Sequence, residues 1–497
     1  MKERIVRELA ALKRPYLTRD GVRLGSLEQI DFDLVWLGEH LALSCQLASG
    51  RICRRIVGVQ VNEREEILLE TRHWNRVEIF QVHAEERQSA GQGNPVGKTF
   101  QKCVTAIIQR NFPGSRIRRV SSHSDLEHSL SANYVRLLFS AAGREWMAVA
   151  VHPLQSQTVV NGILSQGIIW RDYLRRSQRK APSHLLYLVP AGQAAALKYR
   201  LPWIRGAGTH IHLAGLDLQT DGISFLDVSD SGNLATVLTQ VRPWHSNCDL
   251  ASHAAMQRLT ELAPGNIEVV RRPGSRVVSF RIRGLEIAQG DLSRPASLRY
   301  GLNRSKPLQT EDDWKEMGEW VERILSQRCV RPQDPSSPEF RLQAERWLES
   351  LILQDVRRID ASFDPQHVYP QVPAYLAGDR GVIDILTVTR RGRLAVIELK
   401  VAEDLDLPFQ GLDYWLRVRW HQERKEFTRR GYFHKIELSP GVPLLYFVCP
   451  QFRYHDSFPV TAGCIDSRVP IVQVGINENW RAGVQVLTRR LLNGSVD

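Results

Sequence analysis

Hydrophobic and polar positions change period along the chain, and the densest apolar signal lies between Arg380 and Val418. Val382, Ile383, Ile385, Leu386 and Val388 make one β-rich run, interrupted by Asp384. Arg390, Arg391 and Gly392 mark a turn, and Leu394 to Leu399 (LAVIEL) makes a second run closing on Glu398, Leu399 and Lys400. A continuous apolar run suits a strand covered on both faces, where charged groups are costly. Period-two alternation puts Glu398 and Lys400 on one face and Leu399 on the other. If the two strands pair, Asp384 lies beside Glu398 near the end of the sheet. Carboxylates there can hold a hard divalent cation, and the lysine can handle a water or a phosphate oxygen. The competing reading is a structural ion pair at a strand end, which would need no second carboxylate.

The rest of the chain divides around this stretch. Residues 1–90 combine an amphipathic N-terminal helix with strand-like runs and predict a small α+β module without a chemical motif. Residues 91–249 open with a glycine-rich loop and a helix. Gly97-Lys98-Thr99 resembles a phosphate loop, but Gln92 stands where that motif needs glycine. Residues 250–330 form a connector. In it IEVVRR and RVVSFRIR flank a Pro273-Gly274-Ser275 hairpin signal, and Thr310 to Gln327 predicts a helix capped by Thr310 and Asp313. Its apolar stripe runs through Trp314, Met317, Trp320 or Val321, Ile324 and Leu325. A proline-rich linker, Val330 to Pro338, opens the last region, 331–497.

Asp384 followed by Glu398-Leu399-Lys400, with Gln410-Gly411-Leu412-Asp413-Tyr414 next, resembles the PD-(D/E)xK nuclease superfamily, in its RecB-like and NucS-like branch. That branch carries a glutamate on a preceding helix, matched by Glu345 in Ala344 to Leu351, with Glu349 one turn on. Ile383 replaces the proline of the first motif. The resemblance extends from Phe340 to Gly475 and implies an α/β, restriction-endonuclease-like mixed sheet with flanking helices. It implies Asp384, Glu398 and the Leu399 carbonyl as ligands of Mg²⁺ or Mn²⁺, with Glu345 joining through a water. Lys400 would position the attacking water or stabilise the transition state, and Gln410 would orient Lys400 or the substrate. The implied reaction is metal-dependent phosphodiester hydrolysis, of DNA before RNA. A binding or assembly protein with inert nuclease-like folds is the alternative.

Residues 98–218 repeat the pattern. Aligning Met147-Ala148-Val149 with Leu394-Ala395-Val396 sets Leu137 at Asp384, Val151 at Glu398 and Pro153 at Lys400. Gln166-Gly167 then meets Gln410-Gly411, Tyr187 meets Tyr446, and Gly215 meets Gly475. The order suggests a duplication whose first copy has lost its metal site. Two unrelated α/β modules with one rhythm are the other explanation.

Charge adds a direction. The formal net charge of +12 suits a polyanionic partner. After the motif, Tyr414, Arg417 and Arg419 interleave aromatics with cations, a pattern suited to stacking on bases and contacting phosphates, or equally to an ordinary packed helix. His421, His434 and His455 lack metal-ligand spacing. The 7 cysteines include no CxxC pair, which argues for a reducing, cytoplasmic setting and against a disulfide framework or structural zinc. No apolar run reaches membrane-spanning length, so no membrane partner is expected. One candidate centre per chain predicts nicking by a monomer, with a homodimer needed to cut both strands.

Overall fold

The computed structural model describes residues 16–19, 22–27, 32–37, 40–47, 50–61, 67–73, 76–83, 95–178, 181–206, 208–229, 253–271, 276–301, 306–376 and 379–494, with a few isolated positions. The N-terminal helix, the glycine-rich loop before Pro95 and the Pro273-Gly274-Ser275 turn lie outside these residues. The architecture is mixed α/β with several sheets. The chain divides into two compact units, one of Met1–Ala194 with Gly208–Asp227, the other of Ala195–Ala207 with Val228–Asp497. Among the described residues no helix is long and apolar enough to cross a membrane.

The first unit begins with β1 (Tyr16–Arg19), β2 (Val22–Ser26), β3 (Phe32–Leu37), β4 (His40–Leu47), β5 (Gly50–Val61), β6 (Ile67–His73) and β7 (Arg76–His83). They form an antiparallel sheet in the order β2-β1-β7-β6-β5-β4-β3. Alternation accounts for it: Leu41, Leu43 and Cys45, then Ile67 and Leu69, then Phe80 and Val82 turn to one buried cluster.

Helix α1 (Pro95–Asn111) follows, then β8 (Arg116–Ser121), β9 (Tyr134–Ala141), β10 (Arg144–Val151), helix α2 (Ile163–Gln178), β11 (His184–Pro190), β12 (His210–Asp217) and β13 (Gly222–Phe225). The sheet runs β13-β12-β11-β10-β9-β8. Its two central pairings, β10–β11 and β11–β12, are parallel and the outer ones antiparallel. One face packs Val135, Leu137, Ala148, Ala150, Leu186 and Leu188 against Phe100, Val104, Ile107 and Ile108 of α1.

The second unit contains helix α3 (Ala195–Arg200), helix α4 (Ala254–Glu261), and the antiparallel strands β14 (Ile267–Arg271), β15 (Val277–Ile282), β16 (Leu285–Asp291), β17 (Arg294–Tyr300) and β18 (Lys306–Pro307). Helix α5 (Glu311–Gln327) carries the expected capping box, the Asp313 N–H donating to Thr310 Oγ1 and the Thr310 N–H to Asp313 Oδ2. Trp314, Met317, Trp320, Val321 and Ile324 are buried against the strands, as their spacing predicts.

The same unit holds helix α6 (Ala344–Gln354), β19 (Tyr369–Leu376), β20 (Asp379–Val388), β21 (Leu394–Leu399), helix α7 (Leu407–Glu423), helix α8 (Glu426–Arg429), β22 (Leu444–Pro450), β23 (Ile471–Ile476) and β24 (Val486–Asn493). The sheet order is β19-β20-β21-β22-β23-β24, with β21–β22 and β22–β23 parallel and the rest antiparallel. Strand directions therefore match those of the β8–β13 sheet position by position. Ile385, Ile397, Leu399, Tyr446 and Val474 face α6, packing on Trp347, Leu348 and Ile352.

Cross-strand registers correct the residue matches read from the sequence. Val149 pairs with Tyr187, and Glu398 pairs with Phe447. The rings of Tyr187 and Phe447 fill the same place, since a Cβ on Gly167 would come within 2.4 Å of Tyr187 Cε1 and one on Gly411 within 2.4 Å of Phe447 Cε1. Val149 thus corresponds to Glu398 and Val151 to Lys400, two residues from the sequence alignment. Arg136, paired with Val149, takes the place of Asp384, while Leu137 turns to the α1 core. Tyr446 matches nothing at Tyr187, because it lies on the opposite face, toward α6. Gln166-Gly167 keeps its match to Gln410-Gly411, and Gly215 to Gly475. A repeated apolar run has no fixed phase, and helix packing supplies one.

Candidate active site

The site is built at the end of β21. Asp384 Oδ2 accepts the Leu399 N–H at 2.9 Å, which fixes the carboxylate across the strand pair. Glu398 is buried, and its Oε2 has no hydrogen-bond partner among the described residues. Lys400 Nζ lies 3.7 Å from Glu345 Oε1, 3.9 Å from Glu398 Oε1 and 3.6 Å from Asp404 Oδ2. Its own N–H donates to the Val448 carbonyl, so the chain is still held in sheet geometry there.

Burial, then the neighbouring charge of Glu349, pushes the Asp384 carboxyl up to about 6. Burial, then the charge of Asp384, holds Glu398 well above the usual carboxylate range. Glu345, half-exposed on α6, is raised first by burial. For Lys400 burial pulls down, but Glu345, Glu398, Asp404 and Asp384 outweigh it and the ammonium stays above its ordinary value. Four carboxylates therefore surround one ammonium, an excess of negative charge in a poorly solvated place.

Gln410, on the first turns of α7, donates from Nε2 to Asp404 Oδ2 at 3.2 Å. It reaches Lys400 through Asp404 and not directly. Tyr414 lies one turn on, where burial and then the charges of Glu398 and Asp384 disfavour its phenolate. Arg417 does not meet the expectation of a phosphate contact. It is buried, and its Nη1 donates to the Ala374 carbonyl at 2.9 Å. Arg419 is partly exposed, ion-paired to Glu423 at 2.8 Å and stacked over Trp203 and Trp415 at 5.0 and 5.3 Å.

Two further residues join the site. Asp404 has a weak sequence signal, four positions after Lys400. Gln371 has none, yet its Nε2 lies 2.8 Å from Glu349 Oε1 and 3.5 Å from Asp384 Oδ1. Its φ of 54° is a left-handed conformation, unusual for a side-chain-bearing residue in a strand. Glu349 is buried, paired to Arg346 at 3.0 Å.

The Glu398 Oε2 and the disfavoured carboxylates make an environment that a hard cation would relieve. Among the described residues no three His, Cys, Asp or Glu side chains are grouped to hold an ion by themselves. The groups that could hold an ion are Asp384, Glu398 and the Leu399 carbonyl, with water completing the set.

At the corresponding place in the β8–β13 sheet a loop fills the space. Arg136 is buried, donating from Nη1 to the Ser131 carbonyl at 2.7 Å and from Nη2 to the His123 carbonyl. Gln166 Nε2 donates to the Ser129 carbonyl at 3.1 Å, and its Oε1 accepts the Ser131 N–H at 2.8 Å. The counterparts of Asp384 and Gln410 here anchor residues 122–133.

No family model matches the chain, and no curated protein does. Two solved structures of EndoMS align with it. The apo form has 13% identity over 38% of this chain and 86% of its own, with a TM-score of 0.14. The complex with double-stranded DNA has 11% identity over 43% of this chain and 94% of its own, with a TM-score of 0.17. Likeness at these scores carries no argument about function.

Proposed function

We propose that the chain is a metal-dependent nuclease of restriction-endonuclease-like fold that hydrolyses phosphodiester bonds in DNA. The observation that carries this reading is the buried, partnerless Oε2 of Glu398 beside Asp384 and Lys400 at one strand end. Asp384, Glu398 and the Leu399 carbonyl would hold the ion. When bound, Mg²⁺ or Mn²⁺ supplies the charge that acidifies an attacking water and neutralises the scissile phosphate. Lys400 donates to that water or to a phosphate oxygen, as a charged group pre-set in a water-poor site. Glu345 and Asp404 hold the ammonium in place, and Gln410 holds Asp404. Residues 95–225 would be an inert relative of this domain, since Arg136, Val149 and Val151 offer no ligand to a hard cation.

The test is digestion of plasmid, linear duplex and single-stranded DNA, and of RNA, with Mg²⁺ or Mn²⁺ added. Asp384→Ala and Glu398→Ala should abolish cleavage, and Lys400→Ala should abolish it while calorimetry still detects the ion. Plasmid should be nicked before it is linearised. The plugged β8–β13 sheet favours a second reading, a nucleic-acid-binding protein whose nuclease-like folds are both inert. Wild-type cleavage rates in either carboxylate variant would overturn the site assignment, whereas a wild-type chain that cuts none of these substrates with either metal would remove the nuclease reading and leave the second one.

A further inference from the structure

Arg424, Lys425, Arg429, Arg430 and Lys435 are exposed on the end of α7, on α8 and on the turn that follows. Several exposed arginines of this unit have a carboxylate, as in Arg258–Glu311, Arg357–Asp355, Arg453–Glu478 and Arg468–Asp466. None of these cations has one among the described residues. The adjacent acids are already engaged, Glu423 by Arg419 and Glu426 by His421.

The backbone under them is held firmly. Lys425, Gly431, Phe433 and Lys435 have φ values of 55°, 76°, 51° and 66°. Phe427, Tyr432 and Phe433 turn inward to a ring cluster with Tyr369, at centroid distances of 4.7 Å to Tyr432 and 5.0 Å to Phe433. The Phe433 N–H donates to Tyr369 Oη at 2.7 Å, and His367 Nε2 meets the His434 carbonyl at 2.9 Å. Tyr369 stands two residues before Gln371 on β19, about 7 Å along the strand. The ridge is thus tied to the strand whose Gln371 touches Asp384. Arg424 also lies over the Trp420 ring at 3.2 Å.

We infer that this ridge binds the phosphate backbone of the nucleic-acid substrate, beyond the phosphodiester that is cut. The inference deepens the nuclease reading and rests on it for the identity of the polyanion. A row of unneutralised cations on a fixed turn suits a regularly spaced polyanion, which gains by releasing counterions. An anionic membrane fits less well, because no large apolar side chain is exposed from Arg424 to Glu437. Membrane-binding basic surfaces pair their charges with apolar groups that insert.

The experiment uses the full chain with chelator, so that DNA stays intact, and follows fluorescent duplex and single-stranded oligonucleotides by anisotropy across a salt series. The variant Lys425→Ala/Arg429→Ala/Arg430→Ala should bind at least tenfold more weakly at 0.1 M salt and flatten the log–log salt slope by about 2–3. Arg429→Lys/Arg430→Lys should bind like wild type. Unchanged DNA affinity and slope in the triple variant overturn the inference, even if Asp384→Ala is inactive. So does a wild-type chain that binds no DNA, or a triple variant that loses only anionic vesicles of phosphatidylserine and phosphatidylcholine. Ridge-dependent binding without metal-dependent cleavage would leave the ridge standing and remove the nuclease reading.

Discussion

The Asp384 carboxylate is bound to the peptide that joins Glu398 to Leu399, through the Leu399 N–H at 2.9 Å. One hydrogen bond therefore fixes the spacing of both carboxylates and orients the peptide that leads to Lys400. The donor holds one Asp384 oxygen, while Glu398 keeps an oxygen with no donor among the described residues. A fold does not gain stability from such an atom, since an unsatisfied buried polar group costs about 1–3 kcal/mol.

Glu398→Gln should accordingly have opposite effects on stability and function. At alkaline pH, where the buried carboxyl is forced to ionise, the amide should raise the melting temperature of the metal-free protein by a few degrees, as expected for about 1–3 kcal/mol in a chain of this size. Added Mn²⁺ should raise the wild-type melting temperature and leave the variant unmoved. Calorimetric scans with chelator and with metal check both. A variant that melts lower than wild type without metal would mean that the Lys400 ammonium, 3.9 Å from Glu398 Oε1, outweighs the cost of burying the carboxyl.

The two helix glycines that face a ring give a test of the equivalence between sheets. A methyl on Gly411 meets Phe447 at 2.4 Å, and one on Gly167 meets Tyr187 at the same distance. Both rings are enclosed, so Gly411→Ala and Gly167→Ala should each cost about 1–3 kcal/mol by overpacking. Phe447→Leu should restore Gly411→Ala, and Tyr187→Leu should restore Gly167→Ala. Urea midpoints of the single and double variants decide it, and rescue at one site only would argue against equivalent packing.

Sequence alone carried the strand–turn–strand around Asp384 and Glu398, the capped helix at Thr310 and the convergence on Lys400, because local periodicity and turn chemistry encode them. It did not fix the phase between sheets. Leu137 and Arg136 are adjacent, and only the pairing with Val149 decides which one faces the helix. Arg417 has two readings in the sequence for a related reason: an arginine on a helix looks solvated until a strand carbonyl is found beside it. Gln371 was invisible because its role depends on a backbone conformation that no side-chain pattern announces. The placement of residues 195–207 in the second unit is likewise a long-range property, made by a bridge of Ile204 to Ile465 and by an ion pair.

That ion pair joins Arg200 to Asp413 bidentately, Nε to Oδ1 at 2.8 Å and Nη2 to Oδ2 at 2.7 Å, with both side chains buried. Trp203 reinforces it edge-on against Trp415 at 5.2 Å. Asp413 lies on α7 between Gln410 and Tyr414, so this contact holds the helix that flanks the site. Arg200→Ala strands a buried carboxylate and should cost about 3–5 kcal/mol, whereas Arg200→Met/Asp413→Leu should recover most of that. Denaturant unfolding of the three proteins checks the prediction, and an equal loss in the double variant would rule out the stranded charge as the cause.

Acidity should act on the metal-free fold in a direction opposite to that of an ordinary ion pair. Asp384 is raised from 3.8 to about 6 by burial and the charge of Glu349, and Glu398 is raised well above 4.5. The folded state therefore keeps protons that the unfolded chain has released. The stabilisation from Asp384 is complete below pH 4 and is lost as pH rises through about 6, a loss on the order of 3 kcal/mol for a shift of this size. Glu398 extends the window upward. A bound cation needs the ionised carboxylates, so metal affinity should rise across the same window. Melting temperatures between pH 5 and 8 should fall for the chelated wild type, with a shallower fall in Asp384→Asn, and saturating Mn²⁺ should offset the decline. If the chelated wild type and Asp384→Asn show the same slope, the proton is held elsewhere and the electrostatic account of this carboxylate pair is wrong.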